Sequence, residues 1–118
     1  MASLDMGVEE VGSGATKVVL RGRFDTTGAI LIEMPFNAIT QEKRAIVVVL
    51  SAVNFLSSYG IRVLLVGAKT AKGKGGKLAI LCPGGNVAKV LQVAGASSLI
   101  PVLSTEAAAL AAVAPDGA

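Results

Sequence analysis

The chain has 118 residues and a net charge of +3 at pH 7, a length that suits one domain and a charge too low to indicate nucleic-acid binding. A single cysteine and the absence of histidine exclude an internal disulfide and a cysteine-based zinc site, and we expect no cofactor. Apolar residues form 53% of the chain, but no apolar run approaches the roughly 18 residues of a transmembrane helix and no signal peptide is evident, so we expect a cytoplasmic protein with no membrane span.

The chain begins with a predicted β-hairpin. Residues 3–11 and 16–23 are the two strands, and a Gly-Ser-Gly turn joins them. In the second strand Val18 and Leu20 mark the buried face. The alternating, mostly basic positions are predicted to be exposed; they are Lys17, Val19, Arg21 and Arg23.

A helix is predicted to follow the hairpin. Asp25 opens an Asp-Thr-Thr run of residue types that favour helix N-caps, and the helix should extend to about residue 41. Pro35 should make it irregular, because proline lacks a backbone N–H. Residues 41–44 are then a polar loop.

The stretch after this loop predicts the central strand and the serines that follow it. Residues 45–50 are apolar without alternation, which indicates a strand covered by helices on both faces. Residues 51–60 are predicted to be a polar turn that leads into a helix. Ser57 and Ser58 lie at the start of that helix, where a hydroxyl can cap and a phosphate is favoured by the helix dipole.

The helix that follows the serines is predicted to be amphipathic. Its apolar positions recur with the spacing of one helical face; they are Ile61, Leu64, Leu65 and Ala68. Its basic positions fall on another face; they are Arg62, Lys69 and Lys72. Four lysines cluster from Lys69 to Lys77, and the frequent reason for such a cluster is to close a helix and solubilise a Gly-rich loop, although phosphate binding is a second possibility.

The last third of the chain predicts two short strands and two helices. Residues 77–82 are a buried strand, Asn86 caps a helix over 87–93, and residues 99–103 form an edge strand because they contain Pro101.

A final Ala-rich helix is predicted to start at Ser104, its N-cap, with Glu106 in the first turn. The predicted order is β-β-α-β-α-β-α-β-α, an α/β fold with a mixed, mostly parallel sheet of about five strands and helices packed on it in one domain, 1–118.

Catalytic patterns are weak throughout the chain. A serine hydrolase lacks its usual base because there is no histidine. The GKGGK run at 73–77 is not a P-loop, since Leu78 stands where Ser or Thr is needed and the helix precedes rather than follows it. These features disfavour a nucleotide-binding or hydrolytic enzyme, and we expect a protein without enzymatic activity.

Three stretches resemble conserved parts of the STAS domain family, and among its members the single-domain anti-sigma factor antagonists of bacteria. They are LRGRFDTTGA at 20–29, VNFLSSYGIRVLL at 53–65 and VAKVLQVAGASSLIPVLST at 87–105. The first resembles the element that closes the second strand of family members. The second resembles their signature strand, serine turn and helix, and the third their late helix, the turn after it and the edge strand. Together they extend over almost the whole chain and imply the fold given above.

The resemblance also implies a function. Such antagonists bind an anti-sigma factor that is also a serine kinase, and phosphorylation of a serine at the start of the central helix abolishes binding. A serine phosphatase acting on the phosphorylated form is implied as well. The family pattern Asp-Ser-Ser-Gly, aligned on Gly60, places the acceptor at Ser58 and makes Ser57 the less favoured choice, with Tyr59 where a small residue is usual.

The leading hypothesis is therefore a phosphorylation-switched binding domain that sequesters an anti-sigma kinase and so releases a sigma factor. The alternative is a non-phosphorylated STAS subunit of a transporter accessory complex or signalling scaffold. Tyr59 is expected at the surface, since helical neighbours diverge by about 100° from the apolar face. The expected partner-binding residues are Asp25, Ser57, Ser58, Tyr59, Gly60, Arg62, Val66 and Lys69.

Overall fold

A five-stranded mixed sheet organises the fold, as predicted. The computed structural model describes residues 4–12 and 14–114. Five strands lie in the order β1-β2-β3-β4-β5; β1 is antiparallel to β2, and all other neighbours are parallel. The elements are β1 (Leu4–Glu10), β2 (Thr16–Phe24), α1 (Thr26–Glu42), β3 (Ala45–Leu56), α2 (Ser58–Gly73), β4 (Lys77–Leu81), α3 (Gly85–Val93), a short 3-10 turn (Ala96–Ser98), β5 (Val102–Leu103) and α4 (Glu106–Ala112).

The central strand β3 is buried on both faces, which confirms the interpretation of its unalternating apolar run. Ile46 and Val48 point into the larger core, which we call the first face and which α1, α2 and α3 cover. Val47 and Val49 point into a smaller cluster on the second face, where the residues from α4 are Ala109 and Val113. The sheet is therefore the middle layer of the fold, with three helices on its first face and one helix on its second face.

The second face of β2 differs from the prediction. Val19 is buried against the cluster under α4 instead of being exposed. Lys17 is partly covered as well, and its ammonium group donates to Glu106 at 2.7 Å in the first turn of α4. Arg21 and Arg23 remain exposed because α4 covers only the first part of the strand.

β3 is twice as long as the predicted central strand and includes residues assigned to a turn. It continues through Leu56 and pairs there with Phe24. Its pairing with β2 shifts register twice, so the buried positions become Leu50, Val53 and Leu56. A spacing of three does not match the period of a regular strand, which explains why the sequence pattern indicated a turn.

α1 begins where predicted, with Asp25 as its N-cap, and passes through Pro35 without a break. Ile32 and Phe36, on either side of the proline, are buried and hold both halves against the sheet. The helix ends at Glu42, so the predicted loop over 41–44 is reduced to two residues.

Two of the later helix caps were predicted at the wrong residue. Asn86 lies inside α3, and the N-cap is Gly84, whose φ of 147° favours glycine. Thr105, not Ser104, caps α4, because its hydroxyl accepts from the Ala108 N–H at 3.2 Å. Glu106 occupies the first turn of α4, as predicted.

The last two strands are shorter than predicted. β4 ends at Leu81; Cys82 lies just beyond it, still buried, and its N–H donates to the Leu103 carbonyl at 2.9 Å. Residues 99 and 100, predicted as strand, form a turn that follows the 3-10 helix, which leaves β5 with two residues at the edge of the sheet. The predicted edge position is confirmed.

Helices α1 and α2 approach closely at Gly67. A Cβ atom at this position would lie 2.5 Å from the Phe36 ring, closer than side chains tolerate. Phe36 is fully buried, and in a close-packed core its ring cannot move aside without displacing its neighbours. Gly67 therefore sets the spacing between the two helices. None of the described helices is long and apolar enough to cross a membrane.

Gly67→Ala should destabilise the domain although alanine is the better helix former. We expect the free energy of unfolding to fall by about 1–3 kcal/mol, because the new methyl group clashes with Phe36. The matched control is Gly73→Ala at the end of the same helix, where no atom lies within 4 Å of the new methyl group. Urea denaturation of both variants measures the difference, and equal stability would show that the helices are not held at this glycine.

Candidate functional site

Two parallel strands end side by side at one edge of the sheet. Phe24 at the end of β2 pairs with Leu56 at the end of β3. Beyond this pair the Ser57 N–H donates to the Phe24 carbonyl at 2.9 Å. Since a helix follows each strand directly, the N-termini of α1 and α2 lie at the same edge.

Both helix starts are capped by the side chains identified from the sequence. Asp25 Oδ1 accepts from the Gly28 N–H at 2.8 Å, and Ser57 Oγ accepts from the Gly60 N–H at 3.0 Å. These contacts occupy backbone donors that have no partner within their helices. Asp25 and Ser57 therefore stabilise the edge of the sheet.

Gly60 lies beneath this edge, not on its surface. A Cβ atom there would lie 3.0 Å from both Phe24 and Leu56, which are buried. Glycine at this position lets α2 approach the ends of the two strands. Gly60 therefore shapes the predicted contact surface from below.

Ser58, the first residue of α2, is exposed. Its hydroxyl makes no hydrogen bond with any residue from 4–12 or 14–114, in contrast to the neighbouring Ser57. Ser58 thus lies at the positive end of the helix dipole without a structural role for its side chain.

The predicted contact residues of α2 share one exposed side of the helix. Positions 58, 62, 66 and 69 fall within an arc of about 80° at 100° per residue. All four are exposed, and Val66 contributes an apolar side chain that is 45% exposed. We call Ser58, Arg62, Val66 and Lys69 the α2 stripe.

Tyr59 is partly buried, so the expectation that it lies at the surface was only partly correct. Its ring packs against the core, and its hydroxyl donates to Glu33 Oε1 of α1 at 2.8 Å. This hydrogen bond, together with burial and the negative charge of Glu33, raises the pKa of Tyr59. The bond fixes the ring between α1 and the α2 stripe.

Two further residues extend the edge: Arg23, from the face of β2 that was predicted to be exposed, and Phe55, which sequence reasoning missed. The Arg23 guanidinium lies 4.5 Å from the centroid of the Phe55 ring, and its Nε lies 3.6 Å from Asp25 Oδ2. Phe55 remains 37% exposed. The sequence signal for this contact was the aromatic Phe55, two positions before Ser57. It was overlooked because residues 51–60 were predicted to be a turn and not a strand.

The described residues contain no group of three or more His, Cys, Asp or Glu side chains that could hold a metal ion. Burial raises the pKa of the Cys82 thiol, which disfavours the reactive thiolate. The groups available at the edge are therefore a hydroxyl, charged side chains and exposed apolar side chains, which suit contact with another molecule.

Comparison with known proteins agrees with this geometry. Residues 8–109 match the family model described as STAS domain. The chain belongs to the STAS domain family. No curated protein sequence matches this STAS domain significantly.

Several solved structures share the fold of this STAS domain. An anti-sigma factor antagonist from Mycobacterium paratuberculosis is 28% identical, with a TM-score of 0.86 and 94% of each chain covered. An anti-sigma-factor antagonist (STAS) domain protein from Planctomyces limnophilus is also 28% identical, with a TM-score of 0.77, covering 95% of this chain and 98% of that one. Unphosphorylated SpoIIAA, an anti-sigma factor antagonist, is 18% identical with a TM-score of 0.69, covering 91% and 96%.

The two adjacent serines should differ in their effect on stability. Ser57→Ala removes the N-cap and should lower the free energy of unfolding by about 0.5–2 kcal/mol. Ser58→Ala, the matched control, removes no hydrogen bond and should change it by less than about 0.5 kcal/mol. Thermal or urea unfolding decides this, and a larger loss at Ser58 would mean that the two roles are exchanged.

Tyr59 should ionise at a higher pH than a free tyrosine, whose pKa is about 10. Neutral Tyr59 is favoured in the folded state, so its contribution to stability is complete below the unfolded pKa and is lost as pH rises through the folded pKa. Since the chain has one tyrosine, ultraviolet absorbance during an alkaline titration reports on it alone.

The variant Glu33→Gln provides the comparison for this titration. It keeps an oxygen acceptor but removes the charge, and should therefore lower the pKa of Tyr59 toward the free value. An unchanged titration curve would show that Glu33 is not the cause of the shift.

Proposed function

We propose that this STAS domain is an anti-sigma factor antagonist whose binding is switched by phosphorylation of Ser58. In its unmodified form it sequesters an anti-sigma factor with serine kinase activity, and so releases a sigma factor. The proposal rests on the different environments of two neighbouring serine side chains. Ser57 caps α2, whereas Ser58 is exposed and makes no hydrogen bond with another described residue.

The 28% identity to the antagonists from Mycobacterium paratuberculosis and Planctomyces limnophilus, over nearly the whole chain, supports the antagonist function. SpoIIAA is described in both unphosphorylated and phosphorylated forms, and both resemble this fold. The fold is thus compatible with phosphorylation in that protein.

Phosphorylation at this position should leave the fold intact. The kinase would transfer the γ-phosphoryl group of ATP to Ser58 Oγ, with release of ADP and the hydroxyl proton. The product adds about −1.5 to −2 charges at a helix N-terminus, where the dipole stabilises an anion by about 0.3–1 kcal/mol. A serine phosphatase would reverse the modification by hydrolysing the ester.

The same phosphate should abolish binding. A partner packed against the edge would have to remove water from a dianion, and a loss of about 3 kcal/mol already weakens binding more than a hundredfold. The switch therefore acts on the interface and not on the folded state.

The proposed contact surface combines the edge with the α2 stripe. Tyr59 is a suitable anchor, because Glu33 holds its ring in place and less conformational entropy is lost on binding. Arg23 and Phe55 add a second aromatic and cationic contact beside it. The sequence-predicted members of this surface are Asp25, Ser57, Ser58, Tyr59, Gly60, Arg62, Val66 and Lys69.

The role proposed here is binding, without enzymatic activity, cofactor or direct contact with nucleic acid. Because the proposed partners are a sigma-factor inhibitor and enzymes that act on this serine, the proposed location is the cytoplasm of a bacterium.

Ser58→Asp should fold normally and lose the partner, whereas Ser58→Ala should bind constitutively and resist phosphorylation. Anti-sigma kinases from the same genome are tested by pull-down and titration, and the one that binds the unmodified domain is used. We expect the affinity of Ser58→Asp to fall more than about a hundredfold.

The control for charge is Ser104→Asp, which places the same carboxylate beside the start of α4 on the second face of the sheet. It should change affinity by less than about twofold. Equal binding by Ser58→Asp and Ser58→Ala would refute the switch and favour a transporter accessory subunit or scaffold, in which the serine is not modified.

A further inference from the structure

An apolar groove runs beside the second half of α2. It consists of two adjoining cavities of about 280 and 370 Å³, which share Ala68, Lys72 and Leu99. Leu65 and Ile100 line the first cavity, and the second continues past Leu78 toward α4. The groove lies on the described surface of the protein and is open to solvent along one side.

The rim of the groove is positively charged. Lys69 and Lys72 are exposed and form no ion pair with any residue that the structure describes. The sequence of α2 contains no acidic residue, so nothing on that helix offsets their charge. The helix dipole stabilises the charge of Lys72 in the last turn of α2. It does not do so for Lys69, because Lys69 lies before that turn.

Leu99 projects at the opposite rim and is 72% exposed. A large aliphatic side chain with this exposure, next to an apolar floor and two lysines, is a surface suited to an amphipathic ligand. We call the surface formed by Leu65, Ala68, Lys69, Lys72, Leu99 and Ile100 the lysine groove.

We propose that the lysine groove binds an acidic amphipathic segment of the same protein partner that contacts Ser58. Apolar side chains of the segment would cover Leu65 and Leu99, and its carboxylates would lie against Lys69 and Lys72. The charge of the groove selects for acidic side chains, and its apolar floor selects for a segment with one apolar face.

The position of the groove connects it to the switch. Lys69 belongs to both the α2 stripe and the groove, and Leu65 lies two turns after Ser58 on the same side of the helix. A partner seated at the edge can therefore continue along α2 without leaving the surface. The inference rests on the proposed function in this respect, because one partner would cover both parts.

A peptide segment fits the groove better than an acyl chain does. Both cavities are partly open to solvent, so a lipid tail would remain partly in water, whereas an amphipathic segment would turn its polar face outward. The lysines stand along α2 and not at one end of the groove, which matches repeated carboxylates and not a single headgroup.

Phosphorylation should affect the two parts of the interface differently. Seven residues of helix place Ser58 about 10 Å from Leu65, roughly one Debye length at 0.1 M salt. The phosphate would therefore weaken contacts at the edge while the groove retains most of its affinity. A contact confined to the groove would be too weak to retain the partner, so phosphorylation would still release it.

The probe for this inference is a synthetic peptide of about 14 residues, four helical turns, with Leu on one face and Glu on the others. A matched peptide carries Lys at every Glu position. Both are titrated into the isotope-labelled 118-residue chain and followed by NMR. We expect the acidic peptide alone to shift the amide signals of Leu65, Ala68, Leu99 and Ile100.

Charge-reversal variants test the groove itself. Lys69→Glu and Lys72→Glu should each weaken peptide binding about tenfold. Lys89→Glu is the matched control, because Lys89 is exposed on α3, lies outside the groove and forms no ion pair within the described residues. It should change binding by less than about twofold.

Three outcomes would overturn the inference. Equal weakening by Lys89→Glu would mean that only the net charge matters, and signal shifts confined to α1 would place the peptide elsewhere. Shifts in the groove caused by dodecanoate, with none caused by the peptide, would make the ligand an anionic lipid.

Ser58→Asp separates this inference from the proposed function. Its affinity for the peptide should stay within about twofold of the unmodified protein, even where its binding to the anti-sigma kinase is lost. Failure of the peptide to bind leaves the switch at Ser58 intact, and failure of the Ser58 variants to differ leaves the groove intact.

Discussion

The parallel pairing of β2 with β3 is the constraint on which the candidate site depends. It brings Phe24 and Leu56 together, and each of these residues is followed at once by a helix cap. Two helix N-termini therefore lie at one edge of the sheet, and the backbone contact from Ser57 to Phe24 fixes their separation. The glycines at 60 and 67 then allow α2 to approach the strands and α1 closely enough to bury both helices.

The sequence predicted those parts of the architecture whose residue pattern depends on one helix or strand alone. The spacing of Ile61 and Leu64 indicated the buried face of α2, and the unalternating run at 45–50 indicated a strand covered on both sides. Asp25 and Ser57 were identified as candidate caps because short polar side chains compete well for free backbone donors. These signals are local, so they can be interpreted without knowledge of the tertiary contacts.

The features that the sequence did not predict depend on neighbours distant in the chain. The length of β3 follows from two register shifts against β2, which change the spacing of its buried residues. The half-buried state of Tyr59 follows from Glu33, 26 residues earlier in the chain, and the stacking of Arg23 on Phe55 follows from the extended strand. Helical phase alone placed Tyr59 off the apolar face, but it could not reveal that α1 covers that side.

The division of work between Ser57 and Ser58 has an evolutionary consequence. Position 57 must accept a hydrogen bond from the Gly60 N–H, and Asp, Asn, Ser and Thr can all do so at similar cost. Position 58 makes no comparable demand on the fold, so nothing in folding stability selects its hydroxyl. Under the proposed switch, mutation at the first serine would be filtered by stability and mutation at the second by signalling, so one lineage could lose the switch in a single step and keep a fully stable domain.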